Sequence, residues 1–174
     1  TTIIIELSET NDSLSFEKIA SSVTNATALS WSHDDNFLAV VCKNTNQLLR
    51  IHDLKNNSTL SYAQEEKIKK MLWRKHENVL YLLTKTGSLW YIALNSENKT
   101  LGKIKITAPI LDIDIMHTGN IAAVLKGDGD NSIIIFDDQT APINLQKTVT
   151  CLTCNPKQFM PAWVSNKDVI TRTY

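Results

Sequence analysis

Residues 26–54, ATALSWSHDDNFLAVVCKNTNQLLRIHDL, contain one complete structural phrase that the rest of the chain repeats. Three apolar segments, Ala26–Ser32, Phe37–Lys43 and Gln47–Asp53, are each about seven residues long and rich in β-branched or bulky side chains. Polar turn formers separate them, His-Asp-Asp-Asn in the first gap and Asn-Thr-Asn in the second. The phrase reads strand, turn, strand, turn, strand.

The same phrase returns at Ile68–Leu94 and again at Ile110–Asp137. Trp31, Trp73 and Ile115 are each 42 residues apart, and Asn36, Asn78 and Asn120 keep that spacing, so a turn residue recurs in phase with an apparent core residue. A shorter copy runs from Val149 to Tyr174, and the opening Thr2–Ser8 matches a third strand. One further strand follows each third strand, at Leu14–Ala20, Leu60–Gln64, Leu101–Ile106 and Ile143–Lys147. Each unit is therefore four strands in about 42 residues. A lone sheet of that size cannot cover both of its faces and must stack on copies of itself, so the period predicts an all-β chain of four-stranded antiparallel β-propeller blades.

The boundaries read as one propeller segment over 1–174: the end of a blade at 1–20, blades at 26–64, 68–106 and 110–147, and a partial blade at 149–174. About four blades are present. A closed four-bladed ring would leave the strand Thr2–Ser8 surplus. The expectation is a larger ring, of seven blades, with the remainder elsewhere in the protein or supplied by a partner chain, and a four-bladed ring as the alternative.

The third strands end in Ile51-His52-Asp53-Leu54 and Ile135-Phe136-Asp137-Asp138, which resemble the Trp-Asp ending of WD40 repeats. The turns at 32–36 (SHDDN) and 155–157 (NPK) resemble that family's Ser-Pro-Asp-Gly turn. The resemblance covers nearly the whole chain. No Gly-His pair precedes a first strand and no repeat ends in a true Trp-Asp, so the family's Asp–His–Ser–Trp hydrogen-bond network is not expected here. The resemblance implies a non-catalytic scaffold that gives other proteins rigid loops and blade edges within an intracellular multiprotein complex, in the nucleus or cytoplasm.

Charge excludes a bulk electrostatic partner, since 18 basic residues balance 18 acidic ones. The longest apolar run, Phe37–Cys42, is far shorter than the roughly 20 residues of a membrane-spanning helix, so no membrane insertion is expected, and nothing at the start resembles a signal peptide. The absence of an initiator Met suggests an excised or processed segment. Three cysteines without a dense framework suit a reducing compartment.

The residues that invite sharper chemistry have structural explanations. His33, His76 and His117 fall in the turns between first and second strands, one per blade; stacked sheets lie about 10 Å apart, too far for successive turns to share one ion at a Zn–N distance of about 2 Å. His52 stands where the WD40 family usually has Trp and reads as a packed structural residue. Cys151 and Cys154 form a C-x-x-C, yet residues three apart in a strand point to opposite faces, and no second pair completes a four-sulfur site. The run Gly127-Asp128-Gly129-Asp130-Asn131 lacks the closing Glu of a calcium loop and reads as a tight turn. No metal or cofactor is expected.

Partner contacts are expected at the basic cluster Lys67, Lys69, Lys70, Arg74 and Lys75, at the turn bearing Asp128 and Asp130, and at an outer edge near Val169 and Tyr174. Alternation along a strand would divide the cluster between two faces. The same cluster supports an alternative, an RNA-binding propeller or accessory subunit of an RNA-processing or RNA-modifying complex. Catalytic motifs are missing: there is no Gly-x-Ser-x-Gly, no phosphate-cradling glycine loop, and five glycines in all. The first strands read as aliphatic and aromatic, with Leu29, Trp31, Met71, Trp73 and Ile113, which disfavours a propeller-type hydrolase with polar groups in its channel.

Overall fold

A computed structural model describes residues 2–10, 13–23, 25–43, 47–94, 99–106, 108–127, 131–136, 143–145, 149–155, 157, 161–165 and 168–171. The described residues contain seventeen strands, all paired antiparallel, and no helix. They fall into two compact units, 1–65 and 66–174.

The first unit holds a hairpin of β1 (Thr2–Thr10) and β2 (Ser13–Val23), and a four-stranded meander of β3 (Ala26–Trp31), β4 (Phe37–Cys42), β5 (Gln47–Asp53) and β6 (Ser58–Gln64). The second unit repeats that meander as β7 (Ile68–Trp73), β8 (Val79–Thr84), β9 (Leu89–Leu94) and β10 (Lys99–Ile104). It repeats it again as β11 (Ile110–Ile115), β12 (Ile121–Leu125), β13 (Asn131–Phe136) and β14 (Ile143–Leu145). A three-stranded sheet of β15 (Val149–Cys154), β16 (Pro161–Ser165) and β17 (Asp168–Thr171) closes the unit.

The strands match the repeat to within three residues at either end, and the backbone repeats in finer detail than the sequence suggests. Asn36 and Asn78 accept through their carbonyls from Leu54 (2.9 Å) and Leu94 (2.7 Å), closing equivalent turns. Lys43 N donates to Asn25 O, Lys85 N to Lys67 O and Lys126 N to Pro109 O, at 2.7, 2.7 and 2.9 Å, so each meander is fastened at the same place. A register shift sits at the start of every first strand, between Ala26/Ala28, Ile68/Lys70, Ile110/Asp112 and Val149/Cys151. Such a bulge bends a strand and re-aims its side chains.

The second strands are the hydrophobic centres. Every residue of Leu80–Thr84 is buried, as is every residue of Leu38–Cys42 and Ile121–Val124, because a sheet packed on both faces reads as a continuous apolar run rather than an alternating one. In the second unit Leu83, Leu89, Ile110, Ile113 and Ala123 form one core between the first two sheets. Met116, Val124, Leu152 and Trp163 form another between the second and third. These sheets bury their faces by stacking, as the period requires.

Two expectations are corrected here. The 42-residue phase predicts Trp31 as a core residue like Trp73; Trp73 is 7% exposed, but Trp31 is 46% and Leu29 52% exposed. Both lie on β3, the open edge of its sheet, where a side chain is covered only if a further sheet reaches that far. The fourth strand placed at Leu101–Ile106 runs instead from Lys99 to Ile104, and Lys105 and Ile106 leave the sheet.

Candidate functional site

Each first strand in the second unit is the open edge of its sheet, so every second backbone N–H and C=O along it lacks a strand partner. Side chains from the preceding first strand supply the partners. From β7, Lys69 Nζ donates to Leu111 O, and Lys70 Nζ to Ile113 O at 2.6 Å. From β11, Asp112 Oδ2 accepts from Leu152 N at 2.9 Å and Asp114 Oδ2 from Cys154 N at 2.7 Å. The capped groups are two residues apart in both cases, which matches the pleat. Three consecutive sheets are thus joined at their inner edges by a lysine pair and an aspartate pair.

Two of the charges also pair with each other. Asp112, 7% exposed, lies 3.2 Å from Lys70 Nζ and also accepts from the Ile113 amide at 3.0 Å. Asp114 Oδ1 accepts from Ile115 N at 2.9 Å. A buried carboxylate holding an ammonium and backbone amides is the arrangement that offsets its desolvation.

The expectation that alternation divides the lysine cluster between faces is therefore corrected at Lys69 and Lys70. The bulge between Ile68 and Lys70 inserts one extra residue against β8, and both ammonium groups reach the backbone of β11. The reading of the first strands as aliphatic is corrected as well, since Lys69, Lys70, Asp112 and Asp114 all project from them. The missed signal was phase: Lys70 and Asp112 are 42 residues apart, and the two Asp residues alternate with apolar ones in Ile110–Ile115.

Elsewhere the cluster is dispersed. Arg74 and Lys75 follow β7 at the opposite end from Lys67, and Arg74 Nη1 pairs with Glu77 at 3.2 Å. Lys67 is exposed at the end where β8 finishes. Asp128, Asp130 and Tyr174 lie outside the described residues; Val169 lies in β17, the outer strand of the last sheet. The Gly127–Asn131 turn likewise falls mostly outside the described residues.

His33, His76 and His117 occupy the three equivalent turns, and His76 adopts a positive φ of 62°. Among the described residues, no group of three or more His, Cys, Asp or Glu side chains is close enough to hold a metal ion. Cys151 is exposed and Cys154 buried, as opposite faces of a strand require, and burial pushes the Cys154 thiol up to about 12. His52 is buried with Nδ1 3.0 Å from Thr59 Oγ1; burial, with the Arg50 charge, lowers its pKa below the ordinary 6.5.

A second constellation escaped the sequence reading. Glu66 accepts from the hydroxyls of Thr86 and Thr84 (2.7 Å to Thr84), and Lys103 Nζ stands 3.5 Å from its other oxygen. These partners, the Thr86 hydroxyl foremost, hold the carboxyl down to about 2. The Lys103 ammonium also lies 5.1 Å from the centre of the Trp90 ring, within cation–π range.

Sheets of four antiparallel strands, repeated about every 42 residues and stacked face to face within the second unit, define the class: the chain has a β-propeller fold similar to that of WD40-repeat propellers. Residues 14–76 match the family model of the anaphase-promoting complex subunit 4 WD40 domain. No curated protein matches the sequence. Among solved structures, the fold is similar to a chain of a mitotic checkpoint complex, with TM-score 0.61 and 19% identity over 89% of this chain and 51% of that one. It is similar also to the Cps50 (Swd1) β-propeller domain of Myceliophteria thermophila, with TM-score 0.68 and 10% identity over 99% of this chain and 63% of that one. A puromycin-hydrolyzing peptidase of Mycobacterium tuberculosis matches with TM-score 0.56 and 14% identity, over 90% of this chain and 30% of that one. The chain therefore spans less than two thirds of the length of each. No helix among the described residues is long and apolar enough to cross a membrane.

Proposed function

We propose that this chain is part of a propeller that acts as a non-catalytic, protein-binding scaffold subunit of an intracellular multiprotein complex. The observation that carries the reading is the use to which the inner-strand polar groups are put. Lys69, Lys70, Asp112 and Asp114 are the side chains a channel-type active site would draw on, and each is engaged in holding one sheet to the next. The surface then offers strand edges, turns and the ends of the blades, the parts by which a rigid β scaffold recognises other chains. The resemblance to the anaphase-promoting complex subunit 4 WD40 domain supports a place within a large assembly, in the nucleus or cytoplasm. The RNA-binding alternative loses two of its basic residues to the same inter-sheet bonds.

Affinity purification of the full-length protein, followed by mass spectrometry and size-exclusion chromatography, tests this. A stable set of co-purifying proteins in one high-mass peak is expected. Elution as a free monomer, or turnover of peptide or ester substrates by the purified protein, would overturn it.

A further inference from the structure

The end of the second unit where β8 finishes and β10 leaves its sheet carries a groove of about 520 Å³. One wall is the turn between β8 and β9 with Leu89; the other is residues 103–106 with Ala108 and Pro109, and Leu89, Ile104, Ile106 and Pro109 line the groove with apolar surface. Gly87 sets its floor. Gly87 O accepts from Ile110 N at 2.9 Å with φ at +87°, and a Cβ there would sit 2.7 Å from the Pro109 side chain. The two walls are therefore fixed relative to each other.

The rim is basic. Lys103 and Lys105 line the groove, and Lys67, Lys85 and Lys126 stand exposed at the same end, placed there by the Lys85–Lys67 and Lys126–Pro109 backbone bonds. Glu66, the first residue of the unit, has its oxygens already taken by Thr84, Thr86 and Lys103, and the exposed Glu65 precedes it in the chain. Glu66 and Trp90 also hold the Lys103 ammonium in place before any ligand arrives. β10 ends at the groove, giving it Lys103 and Ile104; its outer side has no strand partner among the described residues, and its Leu101 is exposed.

We infer that this groove binds an extended acidic peptide carrying apolar side chains, added alongside β10. The open edge supplies main-chain hydrogen bonds, the pocket takes an apolar side chain, and the lysines meet the carboxylates. Base stacking by a nucleic acid is disfavoured here, since Lys103 lies over the Trp90 ring. The inference rests on the scaffold reading and gives it a surface and a partner chemistry.

The test is fluorescence anisotropy of the full chain with a labelled peptide of about ten residues alternating Glu or Asp with Leu. Binding is expected to weaken about tenfold or more in Lys105→Glu and in Lys103→Glu, to weaken with added salt, and to be unchanged in Lys55→Glu on the first unit. The same peptide with Gln and Asn replacing its acids is expected not to bind. Equal binding of the neutral peptide, unchanged affinity in folded Lys105→Glu, or tighter binding of an oligouridylate of equal charge would each overturn the inference. Co-purification of partners unaffected by Lys105→Glu would overturn this site while leaving the scaffold reading standing, whereas absence of all partners would remove the scaffold reading.

Discussion

Two glycines with nearly the same backbone torsion separate strain from crowding. Gly87 and Gly119 have φ of +87° and +88°, but an added Cβ at Gly119 meets nothing closer than 3.7 Å, whereas at Gly87 it meets Pro109 and the Ile110 amide inside 3 Å. Gly119→Ala should cost about 1 kcal/mol from the left-handed torsion alone, and Gly87→Ala about 2–3 kcal/mol, measured as shifts in urea midpoint. Titration gives a second contrast. The depressed pKa of His52 means that the unfolded chain takes up its proton first, so His52 contributes stability above about pH 6.5 that is lost as pH falls below that value. Glu66, held at about 2 against an ordinary 4.5, contributes stability above pH 4.5 that is lost as pH falls toward 2. Denaturant titrations across pH should show a shoulder near neutrality that His52→Leu removes, and an acid limb that Glu66→Gln flattens.

At the scale of the element, the inner-edge capping predicts an asymmetry between removing a carboxylate and conserving its shape. Asp112→Ala leaves the buried Leu152 amide unpartnered and the half-buried Lys70 ammonium with the Ile113 carbonyl but no carboxylate, and should cost about 2–3 kcal/mol; Asp112→Asn keeps one acceptor and should cost less. Thermal or urea unfolding of the two variants reads this directly. The strands themselves were legible in the sequence, because Asn36, Asn78 and Asn120 recur in phase in the turns and turn chemistry is local. The capping was not, because in Ile110–Ile115 an alternating Asp looks like a solvent-facing residue unless the neighbouring edge strand is known. The bulge that brings Lys69 and Lys70 to the same backbone is invisible to a strict period of two. Trp31 failed for the opposite reason: its phase was right for a core position, but burial depends on a sheet beyond its own. The groove beside β10 was hidden because its walls come from strand ends about 20 residues apart, joined by one backbone bond.

For the molecule as a whole, the repeat was readable because small sheets must bury two faces, and stacking at a fixed period is how they do it. What joins successive sheets of the second unit is both apolar packing and the charged staples at their inner edges. Stability should then be transmitted from sheet to sheet, and loosening one staple should open the edge it covers before the interior of its neighbours. Amide hydrogen exchange resolved by NMR in the native protein and in Asp114→Ala tests this most directly. Protection of the Cys154 amide in the native protein, its exchange about tenfold or more faster in the variant, and an unchanged Leu82 amide in β8 are the predicted result. A Cys154 amide that exchanges at the same rate in both proteins would contradict the account.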